Sequence, residues 1–296
     1  MVSLHANSSI DASTLPIWLD WELNPFIWAF ALTAFFLYTK GLAQSQGTRR
    51  RLHPWWKPFC YYTGLLAIVA ALLSPIDALA YELFTFHMLQ HLLLTLIGAP
   101  LVLLGSPMIP ILRGIPRKIR VKLVNPALRH IAVRNFLKYL SLPVVAWAIY
   151  ITSILGWHAP AAYSLALENE IVHDFEHLTF TLSGILFWWN VIDPIPLRSN
   201  LSYLGRVPYI FITTIPNFVL GAFITFAASP LYSHYTERNL FFGLTAMEDQ
   251  QIAGILMWIP GAIILLITLL SILFLATVAE EKNQRLKDSP VSPKRS

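Results

Sequence analysis

The chain has 296 residues, 56% hydrophobic and 12% charged, with a mean hydropathy of +0.57. A soluble globular domain carries about 25% charged residues, so that class is excluded and an all-α polytopic bundle in a lipid bilayer is expected. The net charge of +5 does not point to nucleic acid, because the basic residues fall in short segments between apolar runs, as juxtamembrane charges do.

Residues 1–24 carry no Lys or Arg and no apolar core, so they read as an extracytoplasmic segment without a cleavable signal. A bilayer core takes about 20 apolar residues per helix, and seven such runs follow. They lie near residues 25–39, 58–76, 80–104, 139–156, 169–192, 208–228 and 250–279, making 25–279 one transmembrane domain. The longest polar connection is 105–137. After Ala279 the tail EEKNQRLKDSPVSPKRS, residues 280–296, is expected to be a disordered cytoplasmic end. The single cysteine, Cys60, opens one apolar run, so neither a disulfide framework nor a Cys-based metal centre is available within one chain.

Basic residues near span ends mark the cytoplasmic side. Of the 21 Lys and Arg residues, 20 fall in the 1–2, 3–4 and 5–6 connections and the tail; only Arg238 lies on the other side. The N-terminus is therefore expected outside and the C-terminus inside, as an odd number of spans requires.

Two histidine pairs stand inside these runs. His87 and His91 occur in FHMLQHLLLTLIGAP, and His173 and His177 in VHDFEHLTFTLSGIL. At about 1.5 Å of rise per residue, the first pair lies roughly 10–16 Å below the outer end of its span and the second at comparable depth. The stretches HMLQHLLLTLIG and HDFEHLTFTLSG share His, His, Leu, Thr, Leu and Gly at equal offsets, a faint internal repeat in parallel orientation. In each, His, His, Thr and Gly recur along one helical stripe. Gly98 and Gly184 on that stripe let another helix approach closely. Imidazole desolvated in an apolar bundle is held neutral and keeps the lone pair that a metal requires. Two pairs at i, i+4 can converge on one ion, with Gln90 and Glu176 behind the rings as orienting partners. The competing reading is that each ring merely bonds a neighbouring helix, but ionisable groups inside a membrane are functional by default.

Other residues on the outer side have two readings each. His158, in GWHAPAAY, is either a fifth imidazole or an interfacial anchor beside Trp157. Met257, about two turns into span 7, is either a thioether suited to Cu(I) or a core methionine filling a gap. Asp249 and Gln250 either open a helix or offer a metal its way in. Asp77, after Pro75, reads as a plain helix cap. His234 and His5 are outer but isolated, and His53 and His130 are cytoplasmic.

Three rival functions share these features. HDFEH fits the H-x-x-E-H pattern of inverted zinc peptidases, although the matching residue in span 3, Gln90, cannot act as a base. A b-type haem protein would take one His from each helix, fewer than the doubled pairs supply. Pro and Gly breaks such as IPNFVLGAF and WIPGAI also suit a transporter or channel.

The stretches HMLQHLLL with APLVLLGSP, WHAPAAY, HDFEHLTF with GILFWW, and DQQIAGILMWIPGA occur in that order. Together they resemble the CtaG-like family of multi-span cytochrome c oxidase assembly factors. The resemblance implies a seven-helix plasma-membrane protein, not an enzyme, that assists maturation of the copper centre of a haem-copper oxidase. Copper is the implied metal. His87, His91, His158, His173 and His177 are its implied ligands, with Asp249 and Met257 as contributors. The implied partners are the lipid bilayer, the oxidase subunits and a copper donor protein. The single-span copper chaperone that shares the family name has a Cys-x-Cys pair, which Cys60 alone cannot supply.

Overall fold

A computed structural model describes residues 21–44, 54–194, 199, 201–236 and 243–288, with no side-chain description beyond 285. Among these residues the regular structure is entirely helical. Residues 1–20 and 289–296, with His5, His53 and Arg238, lie outside the described part.

The helices start where local chemistry says they should. Asn24 precedes Pro25, and its Oδ1 accepts from the backbone of Phe26 and Ile27 to open α1, Pro25–Ala43. The helix α2, Trp56–Leu73, ends at Ser74, which with Pro75 opens the short α3, Pro75–Glu82. One extended residue, Leu83, then separates α3 from α4, Phe84–Leu104. The third expected span therefore begins at Phe84 rather than residue 80, because Leu83 leaves the helical region. Within α4 the turn Leu93–Gly98 is a π-helix, the kind of irregularity that often marks a functional site.

Residues 105–137, expected to be the longest polar connection, are largely helical instead. They carry α5, Met108–Gly114, α6 over residues 117–129, and α7, Ile131–Leu140, which reaches just beyond them. Alternation explains this: Ile119, Val121, Leu123, Ile131 and Phe136 are exposed beside Arg117, Lys118, Arg120, Lys122 and Arg134, the pattern of a helix lying along an interface. Pro143 forces Leu142 out of the helical region, so α7 meets α8, Pro143–Trp157, at a 65° bend. The short α9, Pro160–Glu168, leads through extended Asn169 into α10, Glu170–Ile192. Then come α11, Tyr203–Thr225, the single turn α12, Ser233–Thr236, and α13, Ala246–Asp288. That last helix runs through residues 280–288, correcting the expectation of a disordered tail there.

Among the described residues five helices are long and apolar enough to cross a membrane, α1, α2, α4, α11 and α13, and a sixth span results if the bent pair α7–α8 counts as one. At 23 residues α10 is long enough, but Glu170, His173, Asp174, Glu176 and His177 dilute its apolarity.

The centre of the bundle is α4, 56% buried over its most apolar stretch, where the other spanning candidates reach at most 33%. It packs against α2, α10 and α13. The glycines on the two stripes act as expected. A Cβ on Gly184 would lie 3.3 Å from Thr95 Cα, so α10 rests directly on the backbone of α4. One on Gly98 would lie 2.7 Å from Ile68 Cγ1, on the side of α2. The carbonyl of Thr95, inside the π turn, accepts from Trp188 Nε1 of α10 at 2.8 Å, which locks the two helices in register.

Candidate metal centre

The close contact between α4 and α10 brings all four paired histidines into one cluster. Ring centroids are 4.4 Å apart for His87 and His91, 4.2 Å for His173 and His177, and 5.4 Å for His87 and His173 across the helices. His91 and His177 are 5.8 Å apart. Among the described residues two sets have ligand atoms within 4.8 Å of one another: His87, His173 and His177, and His87, His91 and Glu176. His87 belongs to both.

Glu176 is the residue that sequence reasoning misplaced. It was expected behind a ring as an orienting partner. Its carboxylate instead lies among the rings, Oε2 3.7 Å from His87 Nε2 and Oε1 3.5 Å from His91 Nε2. The signal was available in the spacing, since position 176 lies one turn from His173 on the same face. Gln90, its counterpart in α4, is turned away. Its Nε2 donates to Ala71 O at 2.8 Å and Asp77 Oδ1 at 2.6 Å, tying α4 to α2 and α3. Asp77 is therefore more than a cap; Ser74 opens α3.

The donor atoms are buried without hydrogen-bond partners among the described residues. These atoms are both ring nitrogens of His87 and of His91, Nε2 of His173 and of His177, and both oxygens of Glu176. Leaving a buried polar group unpaired costs about 1–3 kcal/mol each, so a convergent group of this kind calls for a ligand. Neutral imidazole nitrogen with a carboxylate oxygen suits a borderline cation such as Cu(II) or Zn(II), so the residues fit a metal of this class. A partner fixes one of the rings: His173 Nδ1 lies 2.9 Å from Tyr81 OH of α3, as an orienting contact to a metal ligand should.

The remaining candidates take different places. His158, at the end of α8, is buried with its ring centroid 6.0 Å from that of His91. Met257 is half-buried and lines, with Met88, His91 and His158, a cavity of about 50 Å³ beside the cluster. Asp249 belongs to neither set. Its carboxylate accepts from Phe84 N at 2.7 Å and Thr85 N at 3.1 Å, capping the start of α4, where Leu83 has no side chain to do so. Gln250 likewise spends its amide on Leu231 N and Ile224 O. His234, set aside as isolated, contacts Tyr81 O through Nε2 at 3.0 Å.

A polar-aromatic cover closes this end of the bundle. Tyr163 of α9 lies 4.9 Å from the His87 ring, and its hydroxyl meets that of Tyr235 at 2.8 Å. Tyr235 in turn donates to Ala80 O, and Tyr232 to His158 O. Burial among apolar neighbours pushes the Tyr163 and Tyr232 hydroxyls well above the usual phenol range, so the cover stays uncharged.

The internal likeness extends beyond the two His stretches. Each stripe helix is preceded by a short helix with Pro at its start, then one extended residue, Leu83 (φ −135°, ψ 124°) or Asn169 (φ −137°, ψ 111°). In each, a Thr hydroxyl donates to the carbonyl of the second His, Thr95 to His91 and Thr181 to His177.

A family model described as cytochrome c oxidase caa3 assembly factor matches residues 35–278, a range that includes every residue of the cluster and its cover. The chain belongs to that family. Among curated proteins, the assembly-factor chain is 25% identical over 246 residues to uncharacterized proteins of Mycobacterium bovis and Mycobacterium tuberculosis. It is 24% identical over 246 residues to one of Mycobacterium leprae. These matches cover 80% of this chain but 36% of each relative, so it spans about a third of their length. No solved structure matches it.

Proposed function

We propose that this assembly factor binds copper as cargo between α4 and α10 and passes it to a haem-copper oxidase during maturation of that enzyme. One observation carries the reading: ligand atoms of four histidines and a glutamate, from two helices, are buried together without hydrogen-bond partners. His87 is the ligand common to both possible sets, with His91, His173, His177 and Glu176 completing them. Membership of a cytochrome c oxidase assembly family supports copper among the borderline metals that the donor set admits, because copper is the metal a haem-copper oxidase needs.

The chain crosses the plasma membrane seven times, with α10 as the span that apolarity alone misses. Its length of 23 residues is sufficient. The polar side chains that dilute it at His173, Glu176 and His177 are turned into the protein, where lipid does not meet them. With the exposed basic face of α6 and α7 on the cytoplasmic surface, the N-terminus lies outside and the metal centre in the outer half of the membrane. A periplasmic copper donor and the oxidase subunits are the partners this position serves.

The rival readings have less support. Glu176 and His87 are completely buried, which leaves a peptide bond no approach to a zinc peptidase centre. A cavity of about 50 Å³ does not hold a porphyrin. The test is elemental analysis with visible and electron paramagnetic resonance spectra on the purified full chain. One equivalent of copper that is lost in His87→Ala, without a Soret band, is the expected result. Copper content unchanged by His87→Ala refutes the site.

A further inference from the structure

Beside the nitrogen and oxygen cluster, one contact brings together two atoms that both lack a proton. His158 Nδ1 lies 2.7 Å from Ile154 O. A carbonyl can only accept, so the ring proton sits on Nδ1, and in the neutral imidazole Nε2 is left with a bare lone pair. That nitrogen lies 3.3 Å from Met88 Sδ. A thioether has no proton either, so two lone pairs face each other in a buried place, His158 being 6% and Met88 2% exposed. Nothing in the pair itself supplies the positive centre between them.

We infer that Met88 and His158 form a second, softer copper position, selective for Cu(I), next to the nitrogen and oxygen centre. Thioether sulfur with imidazole favours Cu(I) over Zn(II) and Cu(II), because a soft donor is matched to the softer ion. Met88 lies one residue beyond His87 on α4. The adjoining cavity of about 50 Å³ is lined by His91, which is available as a further nitrogen donor. His91 joins the two positions. Its ring centroid is 6.0 Å from that of His158 and 4.4 Å from that of His87.

The inference rests on copper being the cargo, and the experiment separates the two ideas. The full chain in lipid nanodiscs is loaded anaerobically with a Cu(I)–acetonitrile complex. Retained copper is counted, and its ligands are read from X-ray absorption fine structure. The expected wild-type result is a sulfur scatterer at about 2.3 Å, by analogy with metal–sulfur bonds generally, in addition to the nitrogen and oxygen shell. Met88→Leu, which conserves volume, loses the sulfur signal and one equivalent of copper. Met88→His loses the sulfur signal but keeps that equivalent, which guards against a folding artefact. His87→Ala keeps the sulfur-bound equivalent and loses the other. Wild-type copper with only nitrogen and oxygen neighbours, or a sulfur signal that persists in Met88→Leu, overturns the second position while leaving the central one intact. Sulfur-bound copper alone in the wild type overturns the central one and leaves this one standing.

Discussion

Replacing Glu176 with Gln separates ligation from architecture, because the substitution keeps shape and removes charge. The carboxylate oxygens lie 3.5 Å and 3.7 Å from the ring nitrogens that would hold the ion, so a bound cation sits within about 4 Å of the negative charge. Two unit charges at that distance interact by about 4 kcal/mol at an effective dielectric of 20. At 1.4 kcal/mol per decade, losing that interaction weakens copper affinity by as much as about a thousandfold. Some of the loss is recovered because the neutral amide is cheaper to bury, so a fall of about one hundredfold or more is expected. The metal-free protein responds in the opposite direction. In the wild type both carboxylate oxygens are buried without donors among the described residues, and relieving that burden leaves the apo variant as stable as the wild type or more so. Chelator competition on the nanodisc-embedded protein gives the affinity, and thermal unfolding of the apo form gives the stability. An affinity within threefold of wild type, or a large drop in apo stability, would refute the argument that Glu176 serves the metal rather than the fold.

Three further outcomes follow from the geometry. His173→Ala should weaken copper binding yet leave it measurable, since His87, His91 and Glu176 still form a set, whereas His87→Ala breaks both sets; parallel titrations compare them. Gly184→Leu should separate α10 from α4, at a cost of about 1–3 kcal/mol for overpacking, and abolish copper retention, because Thr95 Cα stands 3.3 Å from the added Cβ. Arg206→Ala should destabilise the fold by about 3–5 kcal/mol and leave copper affinity unchanged. Its guanidinium pairs with Asp193 at 3.1 Å and donates to Val191 O, on the same end of α10 as Ile192 and far along the chain from His177; thermal unfolding and chelator competition check the two halves.

The first helix was legible because its punctuation was strong: Asn-Pro at Asn24 opens α1 where the first apolar run was expected to begin. Ser-Pro at Ser74 instead breaks the run expected over 58–76, because an apolar stretch continues through a residue that leaves the helical region. Two features could not be read from one sequence. The 105–137 connection alternates apolar and basic residues at an interface, so it has neither the apolarity of a span nor the polarity of a loop. The roles of Gln90 and Glu176 depend on which helix faces each, and equal offsets in a repeat say nothing of that. Gln90 meets α2 and α3, while Glu176 meets α4.

That asymmetry explains how one helical motif, used twice, yields a single site. Each copy presents two histidines from one stripe, set by the extended residue four positions before the first His, Leu83 or Asn169. A pair alone offers too few donors for a closed site. The residue between the rings then decides what each copy does. In α4 it is an amide bound to the neighbouring scaffold, which makes that helix the rigid wall. In α10 it is a carboxylate aimed across the interface, which supplies the negative charge that two neutral pairs lack. Even the caps divide along this line: Asn169 caps its own helix, while α4 borrows Asp249 from α13. The Asp249 carboxylate holds the start of α4, one turn before His87, through the backbone of Phe84 and Thr85. Asp249→Asn should therefore lower copper affinity only modestly, by weakening the two backbone bonds it accepts rather than by removing a ligand. A loss as large as that of Glu176→Gln would show that Asp249 acts on the metal directly.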